Sequence, residues 1–316
     1  MSPKGELNVH FIDVGQGDSI LIDLGQTEIL IDGGEQSSSV VNYLKNYVDG
    51  SLEVMVATHP HTDHIGGLIA VLASFNVHDI WLNGDTSSSA TYNKFMSAVN
   101  AEGAAIHTAK RGDCIEAGDL TLDVLNPTQP FLGSTNNRSV VLLLHYGSVD
   151  FLFEGDAEKE AESSMLAAGL IPDVEILKVG HHGSRTASSE SFLKACQPEV
   201  AIYMAGIGNS YGHPHRETIT ALAGIGAKVY GTDVNGNIRI TTDGEDYYVQ
   251  FEKLDLSPST PSPLPPSVNQ PSPSTPTACA GATAICNDGT CSYSAHRSGT
   301  CSHHGGVRQW VNRPPN

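Results

Sequence analysis

His59, His61, Asp63 and His64 place four metal-ligand side chains within one short run, H-P-H-T-D-H. That run constrains the chain more than any other feature in it. It follows the apolar stretch LEVMVAT, a buried strand, and leads into GGLIAVLASF, a helix by its spacing. A loop at a strand end can aim several side chains at one point, and four such residues in alternation suffice for two cations. Imidazole mixed with carboxylate suits zinc, manganese or iron. A solvated histidine-rich loop would not need all four ligand-type residues at a strand–helix junction.

The surrounding sequence alternates in the same way. LNVHFIDV and SILIDL read as a hairpin across the GQGD turn, and EILIDGG is a third strand ending in paired glycines. VVNYLKNYV is helical by the spacing of Val40, Val41, Leu44 and Val48. VVLLLHYG and DFLFEGD are paired strands, AEKEAESSMLAAG is a helix, and VEILKVG is a strand that stops at HHGS. ESFLKAC, EVAIYMAG, RETITALAGIGA, KVYGT, GNIRITTD and DYYVQFEK continue as helix, strand, helix and three strands. Two β-rich halves with interleaved helices imply an αβ/βα layered sandwich over residues 5–256.

The segments FIDVGQGDSILI, ILIDGG, THPHTDHIGGL, NNRSVVLLLHYG, FLFEGDAE, ILKVGHHGS and NSYGHPH cover nearly all of residues 7–251. In this order they resemble the metallo-β-lactamase superfamily, and within it the hydrolase domain of ComEC-type competence proteins and the related phosphorylcholine esterases. The resemblance implies an α/β four-layer sandwich and a dinuclear site with two divalent ions, Zn2+ first and Mn2+ second, sharing a hydroxide nucleophile. His59, His61, Asp63, His64 and Asp156 would be ligands, Asp156 bridging both ions. His181 would be the last ligand of the second metal, with His182 as the alternative, since neighbours at a strand end face opposite ways.

Many superfamily members carry a third histidine on the first metal. Here His78, His107 and His145 fall in unsuitable places, and Asn136 or Asn137 of NNRS would lie near the metals as weak ligand or substrate contact. A turn role is the plain alternative for both. Asn137, His182, Lys178 and Arg185 are expected at the substrate. Asp63 and His213 would be catalytic, with His213 holding a phosphoryl oxygen, protonating the leaving group or ligating a metal, and His215 structural. Asp18 and Asp32 would orient ligands.

The resemblance favours a phosphodiesterase, a nuclease first. The alternatives are a carbonyl hydrolase such as a lactonase or β-lactamase, a phosphorylcholine-type esterase acting at a cell surface, or a non-catalytic binder. Charge weighs against DNA. The net charge is −18, and because Arg297, Arg308 and Arg313 outnumber Asp288, the first 256 residues carry −20.

Residues 257–277 are a Pro/Ser/Thr linker that cannot bury a core. Beyond it, 278–316 form a small Cys-rich segment that resembles a short bacterial domain of unknown function found on exported proteins. That likeness implies a Cys286–Cys301 bridge, and the two additional cysteines, Cys279 and Cys291, suggest a second. Zinc held by these cysteines with His296, His303 or His304 is the alternative. Disulfides require an oxidising compartment, so the expected location is extracellular or periplasmic, with a signal peptide removed ahead of Met1. No stretch is apolar enough to span a membrane, and the tail would bind a cell-surface component.

Overall fold

The computed structural model describes residues 5–35, 39–131 and 133–253 in full, and the backbone of 284–286, 291–292 and 307–310. Two sheets face each other. In the larger, β1 (Leu7–Phe11), β2 (Ile20–Asp23) and β3 (Glu28–Ile31) form an antiparallel meander. β4 (Leu52–Ala57), β5 (Val77–Leu82) and β6 (Ala105–Thr108) extend it in parallel. On the other flank β14 (Ile238–Thr242) and β15 (Tyr247–Phe251) pair back onto β1. The smaller sheet runs β13 (Lys228–Gly231), β12 (Val200–Tyr203), β11 (Ile176–Lys178), β10 (Val149–Phe153), β9 (Val141–Tyr146), β8 (Leu120–Asn126) and β7 (Cys114–Ala117).

The strand period of two decides the layering. Ile20 and Ile22 point into the space between the sheets, where they meet Leu142, Phe151 and Ile202. Leu21, between them, points outward to Val40, Leu68 and Phe95. These come from α1 (Ser39–Leu44), α3 (Leu68–Leu72) and α4 (Ala90–Glu102). The outer face of the smaller sheet is closed by Met165, Phe192 and Leu222 of α5 (Lys159–Ala167), α6 (Glu190–Cys196) and α7 (Arg216–Gly224). Helices therefore cover both outer faces, giving four layers. Each fully buried Ile, Leu or Phe contributes roughly 1.5–3 kcal/mol, so every layer boundary is held by tens of such contacts rather than by one anchor.

Beyond residue 253, short strands β17 (Cys291–Ser292), β16 (Ala284–Cys286) and β18 (Val307–Trp310) continue the larger sheet from β15. The expected linker, the side chains of Cys286 and Cys291, and Cys279 and Cys301 altogether lie outside the described residues, as does the expected pairing. No helix among the described residues is long and apolar enough to cross a membrane.

Two glycines let the site loops approach. A Cβ on Gly17 would sit 2.0 Å from the Asp63 carbonyl oxygen, and one on Gly67 would sit 1.9 Å from that of Gly33. The GQGD turn, the paired glycines after β3 and the H-P-H-T-D-H turn consequently share backbone hydrogen bonds: Asp18 N–H to Asp63 O at 3.2 Å and Gly33 N–H to His64 O at 2.7 Å.

Candidate metal centre

The C-terminal ends of β4, β10 and β11 open onto one cavity of about 360 Å3, whose walls include His61, Asp63, Asp156, His182, Tyr211 and His213. His59 and His61 come from the loop after β4, and Asp63 and His64 from the short helix α2 (Thr62–Ile65) that it starts. Asp156 stands just past β10, as expected of a strand-end carboxylate.

Two groups of ligand-type side chains converge and share Asp156: Asp18, His64 and His182 with it in the first, His59 and His61 with it in the second; Asp63 stands beside the first. In the first, Asp156 Oδ1 lies 3.3 Å from His64 Nε2 and 3.4 Å from His182 Nε2. Asp63 Oδ2 is 3.3 Å from the same His182 nitrogen. In the second, Asp156 Oδ2 lies 3.6 Å from His59 Nε2, which is 2.9 Å from His61 Nδ1. Among the buried atoms without a hydrogen-bond partner are His64 Nε2, His182 Nε2 and Asp156 Oδ1. Three unpartnered polar atoms facing one point would be costly without a common ligand, so the residues fit a bound cation.

The far side of each first-group ring explains its orientation. His64 Nδ1–H donates to Asp32 Oδ2 at 2.7 Å, and His182 Nδ1–H donates to the Met204 carbonyl at 2.9 Å. A carboxylate or carbonyl can only accept, so on both rings Nδ1 is committed behind and Nε2 is the nitrogen that faces the cavity, able to bind a cation once its proton is displaced. Thr58 fixes Asp32 in turn, through its N–H at 2.8 Å and its hydroxyl at 2.6 Å. Ser139 lies between the groups: its Oγ accepts from Asp156 N–H at 3.2 Å and is 3.3 Å from His59 Nδ1.

Charge follows this arrangement. Burial raises the cost of an ionised Asp156, but His182 and His64 outweigh it and hold the carboxyl well below its usual range. Burial likewise opposes a charged His182, yet Asp156 and Asp18 hold it up at about 9. His59 is pushed well down by burial, with His64 adding to the effect. His213 is pushed down to about 4, chiefly by burial and then by His182 and His181, so it is neutral at pH 7.

Several expected placements change. His182, not His181, brings its Nε2 to the ligand cluster. His181 Nε2 lies 3.8 Å from Asp156, while its Nδ1 is 3.1 Å from Glu158. The strand rule fails here because both histidines have left the strand: their φ angles are 46° and 55°, and both side chains line the cavity. Asp32, at φ 58°, is a third non-glycine residue in that region. Such backbone costs on the order of 1–3 kcal/mol each; of the five non-glycine residues with positive φ among the described residues, these three stand at the site, while Ser188 and Gln197 do not line the cavity.

Lys178, expected at the substrate, is wholly buried and spent on Asp18 and the Gly155 carbonyl. Asp18, though grouped with His64, His182 and Asp156, is engaged by Lys178, and its other oxygen is 3.2 Å from His182 Nδ1, the ring nitrogen opposite the one that faces Asp156. Asn137 is buried too, its Oδ1 accepting the N–H groups of Glu158 and Ala161 at 3.1 Å; it holds the start of α5. Asn136, its neighbour, lines the cavity instead. Arg185 is exposed and does not line the cavity. His107 is paired with Asp79 at 2.6 Å and His145 with Asp150 at 2.8 Å, so neither joins the centre. Ser139, Thr58, Gln16 and Tyr211 also stand at the site without having been expected there, although all four lie inside the segments NNRS, THPHTDHIGGL, FIDVGQGDSILI and NSYGHPH.

A family model described as the metallo-beta-lactamase superfamily matches residues 12–206, and one described as a domain of unknown function, DUF3761, matches 279–311. ComE operon protein 3 of Bacillus subtilis (strain 168) is 33% identical over 261 residues, covering 76% of this chain and 33% of that protein. Recombination protein 2 of Haemophilus influenzae is 28% identical over 263 residues, covering 81% and 31%. The chain thus spans about a third of the length of these curated relatives. Among solved structures, the metallo-beta-lactamase fold protein YhfI of Bacillus subtilis superposes with a TM-score of 0.52 at 13% identity, over 74% of this chain and 99% of that one; that likeness concerns the fold. With the family model matched across both ligand groups, this chain belongs to the metallo-beta-lactamase superfamily and carries the site of a metal-dependent hydrolase.

Proposed function

We propose that the protein is a dinuclear metal-dependent phosphodiesterase, with nucleic acid as the first substrate class to examine and Zn2+, then Mn2+, as the metal. The observation that carries this reading is Asp156, which turns one oxygen to the His64–His182 pair and the other to His59. His59, His61 and Asp156 would hold one ion, and Asp63, His64, His182 and Asp156 the other. When bound, such a pair supplies Lewis acidity and an acidified water at neutral pH.

The chain's own groups supply the rest. Asp63, on the cavity wall, is placed to hold a proton of the attacking water. His213, neutral at pH 7, can donate a ring N–H to a phosphoryl oxygen. Asn136, which lines the same cavity, offers a carboxamide. The phosphodiester reading rests on the relatives' kind and on the three-residue second group, which lacks the extra histidine expected of lactonases and β-lactamases.

For the tail we keep the Cys286–Cys301 and Cys279–Cys291 pairing and, with it, an extracellular or periplasmic location and a cell-surface partner; peptide mapping without reductant tests the pairing. For the activity, purified protein loaded with Zn2+ or Mn2+ is assayed on bis-p-nitrophenyl phosphate, single-stranded DNA and a lactone. Cleavage of the phosphodiesters is expected. Efficient lactone turnover without phosphodiester cleavage overturns the proposal.

A further inference from the structure

Among the described residues, three large hydrophobic side chains are exposed: Ile106, Ile207 and Tyr211. Two of them, Ile207 and Tyr211, stand on the loop between β12 and α7, and Tyr211 lines the metal cavity while remaining 64% exposed. The loop is held in place. Asn209 Nδ2 donates to the carbonyls of Gly206 at 3.0 Å and His213 at 2.6 Å. Asn209 Oδ1 accepts the N–H groups of Tyr211 at 3.2 Å and His213 at 3.0 Å. Gly206 N–H is tied to Gln16 Oε1 at 3.3 Å. The Tyr211 ring lies nearly parallel to that of His213, with centroids 5.7 Å apart and 19° between planes.

A fixed, exposed ring beside a reactive centre lowers the ordering cost of whatever stacks on it. We infer that Tyr211 is a stacking platform for a nucleobase next to the scissile phosphorus, so that the enzyme selects unpaired nucleotide ends or short single strands. The inference rests on the phosphodiester reading above and narrows its substrate.

Charge argues for a base over the two alternatives. With −20 on the first 256 residues, the domain has no excess cation to track a long phosphate backbone, and recognition falls to a neutral flat group. A quaternary ammonium would want several aromatic faces around it, whereas the other rings lining the cavity are the imidazoles of His61, His181, His182 and His213. Bases inside a duplex are already stacked and cannot reach a single side chain on a loop.

The test compares three chromogenic diesters on the metal-loaded protein: the p-nitrophenyl ester of thymidine 5′-phosphate, methyl p-nitrophenyl phosphate and p-nitrophenyl phosphorylcholine. Wild type is expected to prefer the thymidine ester through KM. In Tyr211→Ala the kcat/KM preference for it over the methyl ester falls about tenfold, within the range for loss of one base–aromatic stack, and Tyr211→Trp recovers it. An equal change on both esters, or no change on either, overturns the stacking role and leaves the phosphodiester reading standing. A loss confined to the phosphorylcholine ester also overturns it, in favour of a cation site. If wild type hydrolyses none of the three, the phosphodiester reading itself falls and this inference with it.

Discussion

The two ligand groups that share Asp156 are built differently. His64 and His182 are wholly enclosed, and each is held by an acceptor behind its ring, Asp32 in one case and the Met204 carbonyl in the other. His59 is equally buried, but it faces only the hydroxyls of Thr58 at 3.2 Å and Ser139 at 3.3 Å. Its partner His61 is exposed. Orientation by a carboxylate raises ligand basicity and fixes the tautomer, whereas a hydroxyl can turn. The first group should therefore hold its ion tightly and the second loosely. A loose second ion makes activity depend on free metal concentration even when one equivalent is firmly bound.

Removing the shared carboxylate gives the largest expected effect. Asp156→Ala should abolish both bound equivalents by metal analysis and lower kcat/KM by about 10^3-fold or more, the scale of losing the main electrostatic element of a site. Asp63→Ala with His64→Ala should act similarly, with a circular dichroism spectrum unchanged, because the loop contributes little to the core. Retention of one tight equivalent in Asp156→Ala would show that the groups do not depend on a common bridge.

The orienting residues come next. Asp32→Asn should weaken the tighter ion by about 10–100-fold, measured by competition with a chelator dye, while Ser139→Ala should weaken only the looser one, and by less. If both variants affected the same equivalent, the distinction between anchored and loosely held ions would fail.

How much of this was legible before the fold depends on where side-chain direction comes from. The H-P-H-T-D-H run was legible because it sets four ligand-type residues at one strand end, whereas Asp156 was legible only through the resemblance of FLFEGDAE to the family. The choice between His181 and His182 was not, because the rule of alternating faces applies to extended backbone and these residues adopt positive φ. Lys178 sits on β11, and nothing in ILKVG tells that its ammonium is sealed against Asp18, distant in sequence. The stretch from 77 to 126 carried little signal: α4 buries only Phe95 and Val99, and β6 is mostly exposed. The layered α/β fold was legible from two β-rich halves with interleaved helices; β2 and β3 read as continuous apolar runs because each of their faces serves a core.

A smaller effect probes the histidine turn itself. Glu154 is wholly buried on the stretch leading to Asp156, and its Oε2 accepts the Gly180 N–H at 2.9 Å, one residue ahead of the two left-handed histidines. Glu154→Ala removes that acceptor and should loosen the tighter ion about fivefold, a net hydrogen bond of roughly 1 kcal/mol. Glu154→Gln keeps a carbonyl acceptor and should come close to wild type. Equal loosening in both variants would point to packing rather than to the bond at Gly180.

The smallest effect separates the site from pH-dependent stability elsewhere, without which affinities at different pH cannot be compared. Glu28 begins β3, its side chain is buried, and its backbone N–H donates to Glu53 Oε2 at 2.7 Å. Burial first, then the hydrogen bond and charge of Glu53, push its carboxyl up to about 8. The folded protein therefore holds a proton that the unfolded chain releases at its ordinary value of 4.5. That proton's contribution to stability is fully present below 4.5 and is lost as pH rises through about 8. Glu28→Gln fixes the neutral form, so its melting temperature should match wild type near pH 4.5 and exceed it by a few degrees at pH 9. Metal affinity, at the far end of the strands, should not change. A variant that loses stability at pH 9 would show that the charged form of Glu28 is compensated in the native fold, and the pH dependence would then have to be sought at the histidine centre.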